Sequence, residues 1–251
     1  MKKILLPLAI AMITFTGSAV AADKVRIGTE GAYAPWNFMD DSGKLAGFEI
    51  DLGNELCKRA ELECEFVANE WDSIIPNMIA GNYDAIMAGM SVTDERKETI
   101  AFSDEYYPAD PSRYAAAEGD KFDFESLKGK KIGVQGGTVQ AAYAEKMFKE
   151  DNTIKSYEKP DQSVADLAAG NIDILLADGS FLEPVVSGSG GAIVYVGPKV
   201  QIGGGIAVGM RKTDSELAEK LNTALAAAKK DGTVDKLIMD FFKKGPFFAA
   251  E

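Results

Sequence analysis

The sequence predicts an α/β protein of two lobes, each a mainly parallel sheet flanked by helices. Short apolar strands alternate with helical stripes of about ten residues, the pattern of a sheet covered on both faces. That alternation runs twice along the chain. Breaks near Asp110 and at Gly203-Gly204-Gly205 separate the two runs.

Each element follows from its local pattern. Residues 25–29 alternate as a strand and run into Glu30-Gly31-Ala32-Tyr33-Ala34-Pro35-Trp36, a loop with glycine and proline breakers. Residues 50–60 carry Leu52, Leu56 and Ala60 on one helical stripe. A short strand is expected over 65–68 and a short helix over 73–80, with Pro76 tolerated in its first turn. Another strand covers 84–88, and Thr93-Asp94 has the pattern of a helix start. The second run opens with a strand over 131–134, a Gly136-Gly137 turn, a helix from about Gln140 to Phe148 and a strand over 154–157. A helix over 163–169 leads to the apolar strand 172–177, and Ser187-Gly188-Ser189-Gly190-Gly191 reads as a flexible surface loop. Strands over 193–196 and 206–209 precede closing helices over 215–230 and 233–242.

Composition excludes several chemistries. The 251 residues include 39 acidic and 27 basic side chains, no histidine and two cysteines. At 46% apolar and 26% charged, this is the composition of an ordinary globular protein. Without histidine there is no Ser-His-Asp triad, no HExxH zinc site and no imidazole proton shuttle. Two cysteines cannot build a four-cysteine zinc site or an iron–sulfur cluster, so neither metal nor cofactor is expected. A net charge of −12 argues against a nucleic-acid partner, which calls for a basic stripe. An enzyme would have to work with carboxylates, lysine, tyrosine or serine.

The first residues read as an address. Lys2 and Lys3 precede an apolar run from Ile4 to Phe15, and small residues follow, ending in Ala19-Val20-Ala21. This is the pattern of a secretory signal peptide over residues 1–21. The other reading is a membrane anchor, but Pro7 interrupts the run, and a spanning helix needs about 20 apolar residues. The expected product is an exported monomer in a bacterial periplasm. In an oxidising compartment Cys57 and Cys64, seven residues apart, are expected to pair as a structural staple rather than remain reactive thiols.

Gly47-Phe48-Glu49-Ile50-Asp51-Leu52, followed by Leu56-Cys57 and Ala60, resembles the signature of solute-binding proteins of polar amino-acid ABC transporters. The likeness is to the lysine/arginine/ornithine- and histidine-binding members and extends over the chain. It includes Tyr33-Ala34-Pro35, Ile74-Ile75-Pro76, Asp84-Ala85-Ile86, Ser91-Val92-Thr93 with Arg96, Ile100-Ala101-Phe102-Ser103, Gly133-Val134 with Thr138, and Asp231-Gly232-Thr233. The resemblance implies the type II periplasmic-binding-protein fold, two lobes joined by two crossing hinge segments. Lobe 1 would comprise residues 22–110 and 206–251, and lobe 2 residues 111–205.

The resemblance also assigns roles. Arg96, in the first turn of the helix begun by Thr93, opposes the helix dipole unless an anion sits nearby. It reads either as a solvated arginine among Asp94, Glu95, Lys97 and Glu98 or as the anchor of a ligand α-carboxylate, assisted by Ser91; the resemblance implies the anchor. Thr138 after Gly136-Gly137 is either a plain tight turn or a place where bare backbone meets an anion. Asp178 follows an apolar strand, where α/β sheets place ligands; it either caps the next helix or, as in the family, pairs with an α-ammonium group. Tyr33 and Trp71 match two aromatic positions that sandwich the ligand side chain, although core packing would also account for them. Glu30 and Glu49 match acidic positions that select a cationic side chain; a helix-start carboxylate is the other reading of Glu49. Gln135 is expected to add a polar contact from lobe 2.

There are departures from the common pattern. Glu30 stands where those binders carry aspartate, and Ala88 and Gly89 stand where they carry serines, which reshapes the end of the pocket. Residues 30–38 are also similar to opine-binding members. The expected function is capture of a basic amino acid, arginine before ornithine or lysine, and delivery to a membrane permease by hinge closure. An opine is the alternative ligand, and a cyclohexadienyl dehydratase-like enzyme using Glu30 or Asp178 is the alternative of another class.

Overall fold

The computed structural model describes residues 24–248, and the expected signal peptide lies outside the described residues. Two five-stranded sheets organise the chain. The first is built from β1 (Lys24–Thr29), β5 (Glu63–Ala68), β6 (Ala85–Ile86), β7 (Ala101–Tyr107) and β13 (Ile206–Met210), in the order β5-β1-β6-β13-β7. The second contains β8 (Ser112–Ala117), β9 (Lys131–Gln135), β10 (Thr153–Tyr157), β11 (Ile174–Asp178) and β12 (Ile193–Val200), in the order β10-β9-β11-β8-β12. The two orders are the same path drawn twice. A small three-stranded sheet of β2 (Ala32–Tyr33), β3 (Asn37–Met39) and β4 (Leu45–Ala46) sits beside the first.

Helices link the parallel strands. α1 (Phe48–Arg59), α2 (Ile74–Ile79) and α3 (Asp94–Thr99) serve the first sheet, and α4 (Val139–Phe148), α5 (Pro160–Ala168) and α6 (Gly179–Gly188) the second. α7 (Ser215–Lys230) and α8 (Thr233–Phe242) return to pack on α1. In each sheet four strands share one direction, and one strand runs against them. The odd strand is β13 in the first sheet and β8 in the second. Both are reached by crossing from the other sheet, between Tyr107 and Ser112 and between Val200 and Ile206. A strand that enters from elsewhere needs no crossover helix, so nothing obliges it to run parallel.

The sequence reading misses the short strands β2, β3 and β4 as well as β7, β8 and α6, and for the last three the reasons are identifiable. β7 carries Ser103, Asp104 and Glu105 in its centre, which interrupts the apolar alternation. β8 reads Ser-Arg-Tyr-Ala-Ala-Ala, poor in β-branched residues, and is a strand because β11 and β12 flank it on both edges. α6 extends through Ser187 and Gly188, so the expected surface loop is confined to the residues after it.

Apolar residues from both sheets merge into one cluster that includes Ile27, Phe48, Leu52, Leu175, Phe181 and Val208. Each sheet also has a separate cluster, one around Ile74, Met78 and Tyr83, the other around Tyr114, Ile132 and Leu176. Cys57, on α1, and Cys64, on β5, are joined in a disulfide that fastens the helix to the edge strand. Closing so short a loop restricts the unfolded chain by about 2.5 kcal/mol in the chain-entropy treatment. Replacing both cysteines by serine should therefore lower the denaturation midpoint by a corresponding amount in urea titrations. An unchanged midpoint would show that the staple contributes nothing.

Candidate functional site

The carboxyl ends of β1 and β6 in the first sheet and of β9 and β11 in the second converge on a small, narrow cavity. Ligands of open α/β sheets collect at such strand ends. Glu30, Tyr33, Trp71, Ala88, Gly89, Ser91 and Arg96 line it from one side, and Gln135, Thr138, Val139, Gln140 and Asp178 from the other. Ten of the eleven residues singled out from the sequence thus meet in one space. Glu49 does not. It lies in the first turn of α1, fully buried, where its carboxylate accepts from Asn37 Nδ2 at 2.7 Å, from the Gly89 amide at 2.7 Å and from the Tyr106 hydroxyl. Its oxygens are spent on fixing the Gly89 backbone, so Glu49 supports the cavity wall instead of selecting a cation. Gly89 itself has φ +61°, a left-handed conformation that favours glycine.

Arg96 is held by α3. Thr93 caps the helix by accepting from the Arg96 amide at 3.1 Å, and the guanidinium donates from Nη1 to the Ser91 carbonyl at 2.8 Å. The Trp71 ring lies under it, 5.3 Å from Cζ. Its other side-chain donors have no hydrogen-bond partner among the described residues, and no ion pair satisfies it there. Burial lowers its pKa to about 10, although Asp178 and Glu95 pull the other way. A half-buried cation with unused donors beside a cavity has the chemistry to accept an anion.

Asp178 occupies the N-cap position of α6, yet its side chain caps nothing. Oδ2 accepts from the Tyr33 hydroxyl at 2.7 Å, and Oδ1 accepts from Gln140 Nε2 at 2.6 Å. The carboxylate is turned into the cavity and away from its own helix, which decides against the capping reading. Burial raises its pKa to about 7, with Asp110 adding to the rise and the hydrogen bonds from Tyr33 and Gln140 and the Arg96 charge opposing it.

Tyr33 stacks flat on Phe181, with ring centroids 4.5 Å apart and planes 2° from parallel. Trp71 belongs to the cluster of Ile74 and Met78 while also facing the cavity. Both aromatics are therefore core residues and cavity residues at once. Thr138 caps α4, its hydroxyl accepting from the Ala141 amide at 3.1 Å and donating to the Gln135 carbonyl at 2.7 Å. Gln135, at the end of β9, donates from Nε2 to Glu30 Oε1 at 2.6 Å. Burial raises the Glu30 pKa to about 7, against the hydrogen bond from Gln135.

Two lining residues, Val139 and Gln140, were not anticipated. Gln140 donates to Asp178 and also to Ser112 Oγ at 3.0 Å, tying the acid to the first residue of β8. A glutamine one turn inside a helix start gives no sequence signal of this kind. Its meaning depends on what lies opposite. Beyond the cavity, Trp36 Nε1 donates to Ser180 Oγ at 2.9 Å, and Lys159 meets Glu70 at 3.3 Å, so further bonds connect the two walls.

Comparison with known proteins agrees with this architecture. Residues 25–244 match the family of bacterial extracellular solute-binding proteins, family 3. The chain is 40% identical over 254 residues to a lysine/arginine/ornithine-binding periplasmic protein of Escherichia coli K12, covering 96% of this chain and 97% of that one. A periplasmic His/Glu/Gln/Arg/opine family-binding protein from Silicibacter pomeroyi, crystallised with lysine, superposes with a TM-score of 0.81 at 43% identity, covering 89% of this chain and 99% of that one. An ancestral arginine-binding protein bound to arginine superposes with a TM-score of 0.82 at 34% identity, covering 87% and 98%. The chain belongs to family 3 of the bacterial extracellular solute-binding proteins.

The Asp178 carboxyl gives this site a pH signature. Folded, Asp178 keeps its proton up to about pH 7, whereas the unfolded chain releases it near 3.8. Between those values the native state binds more protons than the unfolded state, so the contribution of Asp178 to stability falls as pH rises. Asp178→Asn removes this loss. Without ligand, the melting temperature of the variant relative to wild type should climb by several degrees from pH 4 to pH 7. A difference that stays constant would show that Asp178 ionises normally.

Proposed function

We propose that this chain captures a basic amino acid between its two lobes and delivers it to the membrane permease of an ABC transporter, with arginine favoured over ornithine and lysine. One observation carries the reading: a half-buried guanidinium with unused donors and a half-buried carboxylate occupy opposite walls of a single cavity. An α-amino acid carries the matching pair of charges on one carbon. Its carboxylate would take bidentate contacts from Arg96, and its ammonium would share Asp178 with Tyr33 and Gln140. Glu30 supplies the negative charge for a cationic side chain, and the faces of Tyr33 and Trp71 suit a planar one. The similarity to binders named for lysine, arginine and ornithine supports the same choice.

Residues 22–110 and 206–251 form one proposed lobe and residues 111–205 the other, hinged at the two crossings. Each lobe provides half of the charge pair, so ligand contacts from both halves are complete only when the lobes are closed.

Two other readings each have an observation behind them. A wider groove lined by Ile75, Thr93, Tyr143 and Ile202 shares Arg96, Thr138 and Val139 with the cavity, and this gives room for the N-substituent of an opine. Glu30 and Asp178 both titrate near pH 7, where a general acid of a dehydratase would have to work. Free basic amino acids are preferred because Asp178 suits an unsubstituted ammonium group.

A thermal-shift screen of the twenty amino acids, ornithine, octopine and nopaline tests the reading. A micromolar ligand at 1 mM adds about 4 kcal/mol to the unfolding free energy, so arginine should raise the melting temperature by several degrees. Arg96→Ala should abolish that shift for every α-amino acid. A shift with glutamate or glutamine and none with basic amino acids or opines overturns the assignment, as does turnover of prephenate followed by absorbance.

A further inference from the structure

We propose that Gln135 makes the part of the cavity lined by Glu30 selective for a planar guanidinium over an ammonium. This deepens the basic amino-acid reading above and rests on it. Gln135 and Glu30 are both buried and come from opposite sheets, yet they are hydrogen-bonded at 2.6 Å. Gln135 Nε2 donates a second time, to the Glu158 carbonyl at 3.2 Å. Both of these partners are acceptors, so the amide cannot be flipped. Its nitrogen must face them, and both N–H groups are spent. What remains is the amide oxygen, Oε1, which has no donor among the described residues although Gln135 lines the cavity. Glu30 Oε2 is likewise without a donor among the described residues. The bond between the two side chains thus fixes a pair of acceptors, one charged and one neutral, contributed by the two sheets.

Such a pair fits a guanidinium. Its N–H groups diverge in one plane from separate nitrogens, so one edge can reach the carboxylate while another reaches the amide oxygen. Both faces then stay open to aromatic rings, and Tyr33 and Trp71 line the same cavity. An ammonium is a compact, strongly hydrated point charge that gains chiefly from the carboxylate and little from a neutral second acceptor. Selectivity therefore lies in the amide oxygen, and general cation affinity lies in Glu30.

Calorimetric titration of arginine, lysine and ornithine into wild type, Gln135→Leu, Gln135→Met and Glu30→Gln separates the two roles. Equal ligand-free melting temperatures, measured first, identify the variants that fold. Gln135→Leu and Gln135→Met should each weaken arginine at least about tenfold and lysine and ornithine less than about threefold, so that the arginine-to-lysine preference drops by a factor of several. Glu30→Gln should weaken all three ligands by similar factors. An arginine-to-lysine ratio left unchanged by both Gln135 variants overturns the proposal, and so does an equal loss for all ligands. Absence of any basic amino-acid binding by the wild type would instead overturn the reading on which the proposal rests.

Discussion

The site depends on one electrostatic arrangement, a half-buried cation and a half-buried acid that are close enough to influence one another yet not paired. Arg96 and Asp178 each register the charge of the other, but among the described residues no ion pair joins them. Two opposite charges that could meet would satisfy one another, and the cavity would be lost. Here separate frameworks keep them apart. Thr93 and the Ser91 carbonyl hold Arg96, and Tyr33 and Gln140 hold Asp178. Burial pushes both groups towards their neutral forms, the guanidinium downward and the carboxyl upward. A zwitterion placed between them would relieve both at once, whereas a singly charged molecule could relieve only one. That difference is the physical basis for proposing an amino acid over a simple anion or amine.

The scaffold supplies this arrangement by repeating one strand path. Both sheets run in the order second, first, third, intruder, fourth, and in each the parallel strands direct their carboxyl ends at the other lobe. Glu30 follows β1, Ala88 and Gly89 follow β6, Gln135 ends β9 and Asp178 ends β11. Each crossing leaves an edge strand, β7 or β12, and enters the other sheet just inside its edge as β8 or β13. Ser112 opens β8, accepts from Gln140 and pairs in register with Asp178, which connects a crossing directly to the acid wall.

Much of this was legible in the sequence, and the exceptions have a common cause. Helices α7 and α8 could be placed from their apolar stripes alone, because an amphipathic period is a local property. For Arg96 the local pattern left a solvated arginine open, and the family resemblance supplied its place at the cavity. Asp178 was legible from its place after an apolar strand. Glu49 was misjudged because a motif gives a residue type and a position but not the direction of a side chain, and Asn37, Gly89 and Tyr106 all claim its oxygens. Gln140 and β8 were missed for the same reason. Their roles are conferred by partners distant in sequence, Asp178 and Ser112 for the one, β11 and β12 for the other.

The hydrogen bonds across the cleft determine what a ligand must contribute. Tyr33 to Asp178, Gln135 to Glu30 and Trp36 to Ser180 already join the walls with the protein's own groups. A ligand shifts a closing equilibrium only by what it adds beyond contacts the closed form makes unaided. An ammonium group arriving at Asp178 therefore gains less than its contact suggests, because the Tyr33 hydroxyl is already there. A carboxylate arriving at Arg96 meets donors that nothing else among the described residues satisfies, so its gain is undiluted. On the proposed reading the two walls therefore contribute unequally, the acid wall less than its contact suggests and the arginine wall in full.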